Sequence, residues 1–137
     1  MDETAIVKQA LYYRNPKKDL KEALLEFVYL WELRKVSSII SVCELMNLHT
    51  QEKEKGIVLD QVLVYPMLRN KGIGTQFLTE FLALVDTYHQ IVFLFPSDSL
   101  GGDVTRLIAF YKKFGFVQNK GEFQVYKDFN GMYRTIH

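Results

Sequence analysis

The chain has 137 residues, of which 48% are hydrophobic, and its 17 basic and 16 acidic residues leave a formal net charge of +1 at pH 7. This length and composition favour a single domain, and the balanced charge gives no general attraction to nucleic acid or to a membrane surface. The only cysteine, Cys43, excludes an internal disulfide and a zinc site built on several thiolates. The histidines at positions 49, 89 and 137 lie far apart in the sequence, so we expect no metal site.

The sequence also carries expectations about location and organisation. No apolar run approaches the roughly 20 residues that a membrane-spanning helix needs. The N-terminal stretch MDETAIVKQA is neither basic nor followed by a signal-type apolar core. We therefore expect a cytoplasmic protein without a membrane partner. No internal repeat or Pro/Gly/Ser-rich linker divides the chain, which indicates one domain over residues 1–137.

The first predicted element is an amphipathic helix. Asn15 and Pro16 mark a turn, Asp19 is a candidate N-cap, and apolar residues recur at helical spacing in LKEALLEFVYLWELRK. The following VSSIISVCELMNL fits a buried strand and a helix about equally well, and we favour a helix. HTQEKEKG is interpreted as a solvated loop or a frayed helix end. IVLDQVLVYP is interpreted as a strand that stops at Pro66.

Two more helices and a second strand are predicted further along. From Gly72 to about Tyr88 the apolar spacing indicates a helix with one buried face. QIVFLFP is a strand, and VTRLIAFYKKF is a helix with Asp103 as N-cap and Gly115 as its C-terminal stop. This alternation predicts parallel strands joined by a right-handed crossover. The tail, FVQNKGEFQVYKDFNGMYR, predicts antiparallel strands that complete the sheet.

A glycine-containing stretch, VYPMLRNKGIGTQFL, lies where the first of these strands leads into a helix. A helix start offers unpaired N–H groups and a partial positive charge, which suits a phosphate. Neither the P-loop pattern nor the three-glycine dinucleotide pattern fits this stretch. Taken alone, the glycine pair is explained about equally well as a tight turn. Its context favours a ligand site, because FYKKFGF follows on the next predicted helix.

Together, VYPMLRNKGIG and LIAFYKKFGF resemble the motifs of the GNAT superfamily, the acetyl-CoA-dependent N-acetyltransferases. The resemblance covers roughly Ile57 to Phe116, under half of the chain. It implies an α/β fold: a single-domain, GNAT-like mixed sheet flanked by helices. Few residues precede Ile57, so the N-terminal part of this fold is expected to be shortened or rearranged. The implied reaction transfers an acetyl group from acetyl-CoA to an amine of a small molecule or protein, by direct attack without a covalent enzyme intermediate.

The resemblance also assigns binding residues. The loop and helix start would bind the CoA pyrophosphate on backbone N–H groups, and the strand end would pair with the amides of the pantetheine arm. The pyrophosphate residues would be Arg69, Asn70, Lys71, Gly72, Ile73, Gly74 and Thr75. The pantetheine residues would be Leu63, Val64 and Tyr65. A side chain at either glycine would hold the phosphates away from the amides.

Catalytic candidates follow from the same resemblance and from the chemistry. Tyr111 matches the family tyrosine that approaches the thioester sulfur, although helix periodicity alone would make it a core aromatic. An amine is protonated at pH 7, so a proton acceptor is needed, and Asp60 on the strand is our first candidate. Glu44 and His49 are alternatives, and a strand carboxylate can equally serve as a salt-bridge or solvent-facing residue.

An alternative function stays open at this stage. A protein with this fold could lack catalysis and serve as a CoA-binding or protein-interaction module. Aromatic residues make up 14% of the chain. Phe123 or Phe129 in the tail could line an acceptor pocket or a homodimer contact, or could simply be core residues.

Overall fold

The computed structural model describes residues 19–64, 71–96 and 103–135. The helices are α1 (Leu20–Leu33), α2 (Ile73–Thr87) and α3 (Val104–Lys112). The strands are β1 (Val36–Met46), β2 (Lys53–Val64), β3 (Ile91–Leu94), β4 (Val117–Gln118) and β5 (Met132–Arg134), and a 3-10 turn spans Gly121–Phe123.

The strands form one sheet in the order β1-β2-β3-β5-β4. β2 and β3 are parallel, and β5 is antiparallel to both β3 and β4. The predicted mixed α/β fold is confirmed.

The predicted starts of α1 and α3 are confirmed by their N-caps. The Asp19 carboxylate accepts a hydrogen bond from the Glu22 N–H at 2.8 Å at the start of α1. Asp103 accepts one from the Thr105 N–H at 2.8 Å at the start of α3. After α3 the chain turns at Gly115, whose φ of 94° lies in the left-handed region that glycine adopts readily.

The helix that we favoured for VSSIISVCELMNL is wrong, because this stretch forms β1. The residues that it buries change side along the strand. Val36 and Ser38 are buried near its start, whereas Cys43 and Leu45 pack against the sheet near its end. The predicted polar loop is also too long, since β2 already begins at Lys53.

The chain divides into two compact units, one comprising residues 1–40 with 61–88 and the other residues 41–60 with 89–137. The first unit has an aromatic core between α1 and α2. The Phe77 ring lies 5.3 Å, centroid to centroid, from both Phe27 and Trp31. Arg34 stacks over Trp31 at 3.8 Å, and its guanidinium lies 3.6 Å from the Glu80 carboxylate. These contacts bury the apolar face of each helix in the other.

The second unit has its core on one face of the sheet. The cluster comprises Val58, Phe93, Tyr126, Phe129 and Tyr133. The Tyr126 ring packs edge-on against Phe93 at 4.9 Å, and its hydroxyl donates to the Glu54 carboxylate at 2.7 Å. Burial, followed by the hydrogen bond to Glu54, raises the pKa of Tyr126 above its usual range. This phenol therefore stays protonated and keeps donating to Glu54 at neutral pH.

A single amide holds the tail against this core. The buried Asn119 side chain accepts from the N–H groups of Val125 and Tyr126, at 2.8 and 3.0 Å. It also donates to the carbonyls of Tyr126 and Phe129, at 2.8 and 2.6 Å. Every hydrogen-bonding group of the amide is thus used in fixing the path of residues 119–129.

Gly56 sets how closely β2 and the Phe93 ring approach each other. A Cβ at Gly56 would overlap the Phe93 ring and lie 2.9 Å from the Ile91 carbonyl oxygen. We expect Gly56→Ala to lower the free energy of unfolding by about 1–3 kcal/mol, as overpacking of a core usually does. Urea denaturation followed by circular dichroism measures this change.

Gly74→Ala is the matched control for that experiment. No described atom lies within 4 Å of a Cβ at Gly74, which is in a helix. Alanine there should leave stability unchanged or raise it by up to about 1 kcal/mol. Equal losses in the two variants would contradict the packing role of Gly56.

Candidate functional site

No hydrogen bond from a described side chain caps the N-terminus of α2. Gly72 is the N-cap residue, with φ at 76°, and the first helical turn contains no acidic residue. The intrahelical hydrogen bonds begin with the Gln76 N–H, which donates to the Gly72 carbonyl at 3.0 Å. The amides of Ile73, Gly74 and Thr75 precede it and have no intrahelical acceptor. Free amides at the positive end of a helix dipole favour an anion.

Gly72 and Gly74, the two glycines at the start of α2, differ in whether the structure requires a glycine at their position. Gly72 needs its left-handed backbone conformation, which side chains disfavour. Gly74 has no such need, and a Cβ there would meet no described atom within 4 Å. Since glycine within a helix costs up to about 1 kcal/mol relative to alanine, neither backbone nor described packing accounts for it. No described atom outside the helix start occupies the space that a side chain at Gly74 would enter.

The end of β2 extends past its pairing with β3. The parallel register runs from Gly56 opposite Ile91 to Leu59 opposite Leu94. β2 then continues to Val64, whereas β3 ends at Leu94.

Of the other residues assigned to the cofactor, Lys71 is exposed and Leu63 and Val64 are half-buried. Tyr65, Arg69 and Asn70 lie outside the described residues.

Backbone directions in β2 bear on the predicted pantetheine contact. The Asn47 N–H donates to the Glu52 carbonyl at 2.9 Å, so Glu52 points towards β1. Because these directions alternate along a strand, Gln61 and Leu63 present their N–H and C=O groups on the side away from β1. Gln61 was not among the residues assigned from the sequence, and it is identified by counting backbone directions from Glu52 and not by a local motif.

Tyr111 lies in the last turn of α3 and is half-buried among aromatic rings. Its ring centroid is 5.5 Å from that of Phe110 and 5.7 Å from that of Phe116. Burial raises the pKa of the Tyr111 phenol above its usual value near 10. The hydroxyl is therefore a proton or hydrogen-bond donor at neutral pH.

Asp60 follows the last residue of β2 that pairs with β3, and its side chain is exposed. The carboxylate accepts a hydrogen bond from the Ser41 hydroxyl at 2.7 Å. Burial, with a smaller contribution from the negative charge of Asp60, raises the pKa of the Cys43 thiol. Sequence reasoning missed Ser41 because it placed this residue in a helix. The alternative proton acceptors, Glu44 and His49, are both exposed.

The two catalytic candidates make different contacts. The structure brings Asp60 together with Ser41 and Cys43. In the part of the chain that it describes, no hydrogen bond or ion pair joins Asp60 to Tyr111.

An open groove of about 630 Å³ lies beside the end of α3. Lys112 and Lys120 line it together with Phe123, whose ring is exposed. Phe116, which contacts Tyr111, also lines this groove. Phe129, the other aromatic that we considered for a pocket, is instead part of the buried core.

Within residues 19–64, 71–96 and 103–135, no cluster of three or more His, Cys, Asp or Glu residues could hold a metal ion. No helix in those ranges has the length and apolar character needed to cross a bilayer.

Comparisons with known proteins give a structural likeness only. No protein-family model matches the chain, and no curated protein matches it. A solved structure of a tyrosine-to-phenylalanine mutant of the AtaT toxin, bound to the C-terminus of the antitoxin AtaR and acetyl-CoA, matches with a TM-score of 0.53. The identity is 12%, and the match covers 73% of this chain and 57% of that one. The same mutant bound to the AtaR C-terminus matches with a TM-score of 0.49 at 14% identity, covering 72% and 57%.

The match with a TM-score of 0.53 is evidence about the fold alone. The shared architecture is a mixed sheet with flanking helices, which supports the GNAT-like fold expected from the sequence. This chain spans a little over half the length of the AtaT chain that it matches.

Proposed function

We propose that this protein is an N-acetyltransferase that uses acetyl-CoA as co-substrate and an amine as acceptor. The observation that carries the proposal is the start of α2, where no described side chain caps the first-turn amides and no described atom lies within 4 Å of a Cβ at Gly74. The fold shared with AtaT, whose structure contains acetyl-CoA, supports the same conclusion.

The residues at the helix start fit a pyrophosphate. The amides of Ile73, Gly74 and Thr75 would donate to its oxygens, and the left-handed Gly72 turns the chain into the helix without a side chain in the way. Lys71 adds a positive charge next to this position. Arg69 and Asn70 complete the proposed loop on sequence grounds.

The end of β2 would hold the pantetheine arm. Backbone N–H and C=O groups of Gln61 and Leu63 point away from β1, past the last pair that β2 makes with β3. An extended ligand bearing amides can pair with such groups as an added strand does. Tyr65 belongs to this proposed contact on sequence grounds, as does Val64, although the same alternation turns the backbone groups of Val64 towards β1.

Asp60 and Tyr111 would act as the proton acceptor and the proton donor of the reaction. The bound acetyl-CoA supplies an activated acyl carbonyl. Asp60 would accept the proton of the attacking amine, directly or through water, while Ser41 holds the carboxylate in position. Tyr111 would donate to the departing sulfur, because burial keeps its phenol protonated. A strong hydrogen bond serves this purpose as well as complete proton transfer.

Gly74→Glu tests the binding part of the proposal. The new side chain would place bulk and negative charge over the first-turn amides, so acetyl-CoA binding should be abolished while the fold survives. Isothermal titration with acetyl-CoA measures the affinity, and circular dichroism checks the fold. Ala83→Glu is the matched control, since it adds the same charge at an exposed position of the same helix. Unchanged affinity in Gly74→Glu would refute the site.

Tyr111→Phe tests the catalytic part. The ring is kept, so aromatic packing and acetyl-CoA affinity should hardly change. Turnover should fall about 10²- to 10⁴-fold if the hydroxyl acts as a general acid. The loss should appear in kcat with little change in the acceptor KM. Release of free CoA thiol gives the rate once an accepting amine is found. A rate within a few-fold of wild type would make Tyr111 a structural aromatic only.

Asp60→Asn tests the proton acceptor, with Glu44→Gln as its counterpart on the neighbouring strand. Loss of the Asp60 carboxylate should lower turnover by about 10²-fold or more, and raising the pH should partly restore it because more amine is then unprotonated. Glu44→Gln should stay near wild type. If Glu44→Gln lowers turnover and Asp60→Asn does not, Glu44 is the proton acceptor. If neither variant loses turnover, both carboxylates are excluded from this role.

A protein-interaction role is the second candidate. The AtaT structure also holds a C-terminal segment of its antitoxin AtaR, so a protein partner is a reasonable proposal for a chain of this fold. Acetyl-CoA consumption with a panel of amines separates the two functions. Tight binding of acetyl-CoA without turnover on any amine would favour a binding module.

A further inference from the structure

Phe95 carries an aromatic side chain that the proposed mechanism does not use. It directly follows Leu94, the last residue of β3, and 52% of it is exposed. Single exposed apolar side chains are common on protein surfaces and do not by themselves indicate a site. Phe95 differs from such a residue in two respects, which are its position next to a carboxylate and the ring that supports it.

Asp60 and Phe95 occupy equivalent positions on neighbouring strands. The parallel ladder of β2 and β3 ends with the pair Leu59 and Leu94, and Asp60 and Phe95 are the next residues along each chain. Paired strands lie about 4.8 Å apart. The backbones of these two residues are therefore adjacent where the ladder ends.

The two side chains also lie on the same face of the sheet. Val58 and Phe93 belong to the core cluster of the second unit. Side chains two residues apart on a strand share a face, so Asp60 and Phe95 lie on the face of that cluster. A ring contact agrees with this assignment, because Phe95 packs against Phe129, another member of the cluster.

A buried ring holds Phe95 in position. The ring centroid of Phe129 lies 5.0 Å from that of Phe95 and 5.3 Å from that of Phe93, with both pairs packed edge-on. Gly131 permits this arrangement, since a Cβ there would lie 2.6 Å from the Phe129 ring. Phe95 is thus supported by the core while about half of its surface is open to a ligand.

The Asp60 carboxylate is positioned from the side of β1. It accepts a hydrogen bond from the Ser41 hydroxyl at 2.7 Å. Burial, followed by the charge of Asp60, raises the pKa of the Cys43 thiol, which packs against the same core cluster. Because the strand order is β1-β2-β3, Ser41, Asp60 and Phe95 follow one another across this face.

We propose that Asp60 and Phe95 together bind the acceptor, and that the acceptor is an amine on an apolar carbon skeleton with no carboxylate beside the nitrogen. The carboxylate attracts the ammonium form of the amine. The Phe95 ring attracts the same cation through its quadrupole and covers the apolar carbons next to it. A carboxylate beside the nitrogen would instead be repelled by Asp60. This inference rests on the proposed role of Asp60 as the proton acceptor.

Three related amines test the proposal by direct binding to the wild-type chain. 2-Phenylethylamine has both the amine and an apolar ring, phenylalanine adds a carboxylate, and ethylamine lacks the ring. An NMR titration of the isotope-labelled chain should give a millimolar dissociation constant for 2-phenylethylamine. The other two should bind at least about 5-fold more weakly. No binding of 2-phenylethylamine, or equal binding of all three, would overturn the proposal.

Phe95→Ala tests the ring itself. Loss of the ring should weaken the binding of 2-phenylethylamine about 5- to 10-fold, since Asp60 alone then holds the amine. Phe123→Ala is the matched control, because Phe123 is 53% exposed and lines the separate groove beside α3. It should bind 2-phenylethylamine as the wild type does, and circular dichroism checks that both variants fold. Equal affinities in the two variants would overturn the proposal.

Turnover distinguishes failure of this inference from failure of the proposed function. With 2-phenylethylamine as acceptor, Phe95→Ala should raise KM about 5- to 10-fold and leave kcat nearly unchanged, as loss of substrate binding does. Binding that depends on Phe95 without acetyl transfer to any amine would support this site and overturn the proposed function. Acetyl transfer with the same KM in Phe95→Ala and wild type would support the function and overturn this site.

Discussion

The parallel pairing of β2 with β3 is the constraint on which the candidate site depends. Only four residue pairs form this ladder, from Gly56 with Ile91 to Leu59 with Leu94. Gly56 permits it because the Phe93 ring occupies the space that a Cβ would need. The point where the ladder ends makes Asp60 the first β2 residue without a β3 partner. Beyond this point, the alternation along β2 turns the backbone groups of Gln61 and Leu63 away from β1.

The elements with a constant period were predictable from the sequence. α1 and α3 combine regular apolar spacing with a recognisable cap or stop, namely Asp19, Asp103 and Gly115, whereas α2 has the apolar spacing without a side-chain cap. The alternation in β1 is harder to recognise, because its buried side chains are even-numbered near the start and odd-numbered near the end. A single periodicity cannot describe a strand that packs on opposite faces along its length.

The candidate site was predictable only where a local motif defines it. Gly72 and Gly74 could be identified because a strand-to-helix junction with two glycines has few uses other than a turn or a ligand contact. The partner of Asp60 could not, since Ser41 reaches it through the pairing of β1 and β2. The groove near Phe123 depends on the path that Asn119 imposes on the tail, which no short motif encodes.

The missing side-chain cap on α2 also affects the order of the helix itself. A serine or aspartate at the N-cap typically contributes about 1 kcal/mol, whereas Gly72 has no side chain that could accept a hydrogen bond from the first-turn amides. Without an anion, the first turn is therefore the part of α2 most prone to fray. An anion bound there would supply the missing acceptors, so that ligand binding and local helix formation become a single linked equilibrium. Rapid hydrogen exchange at Gly74 and Thr75, slowed on binding, is the dynamic signature of such a helix end.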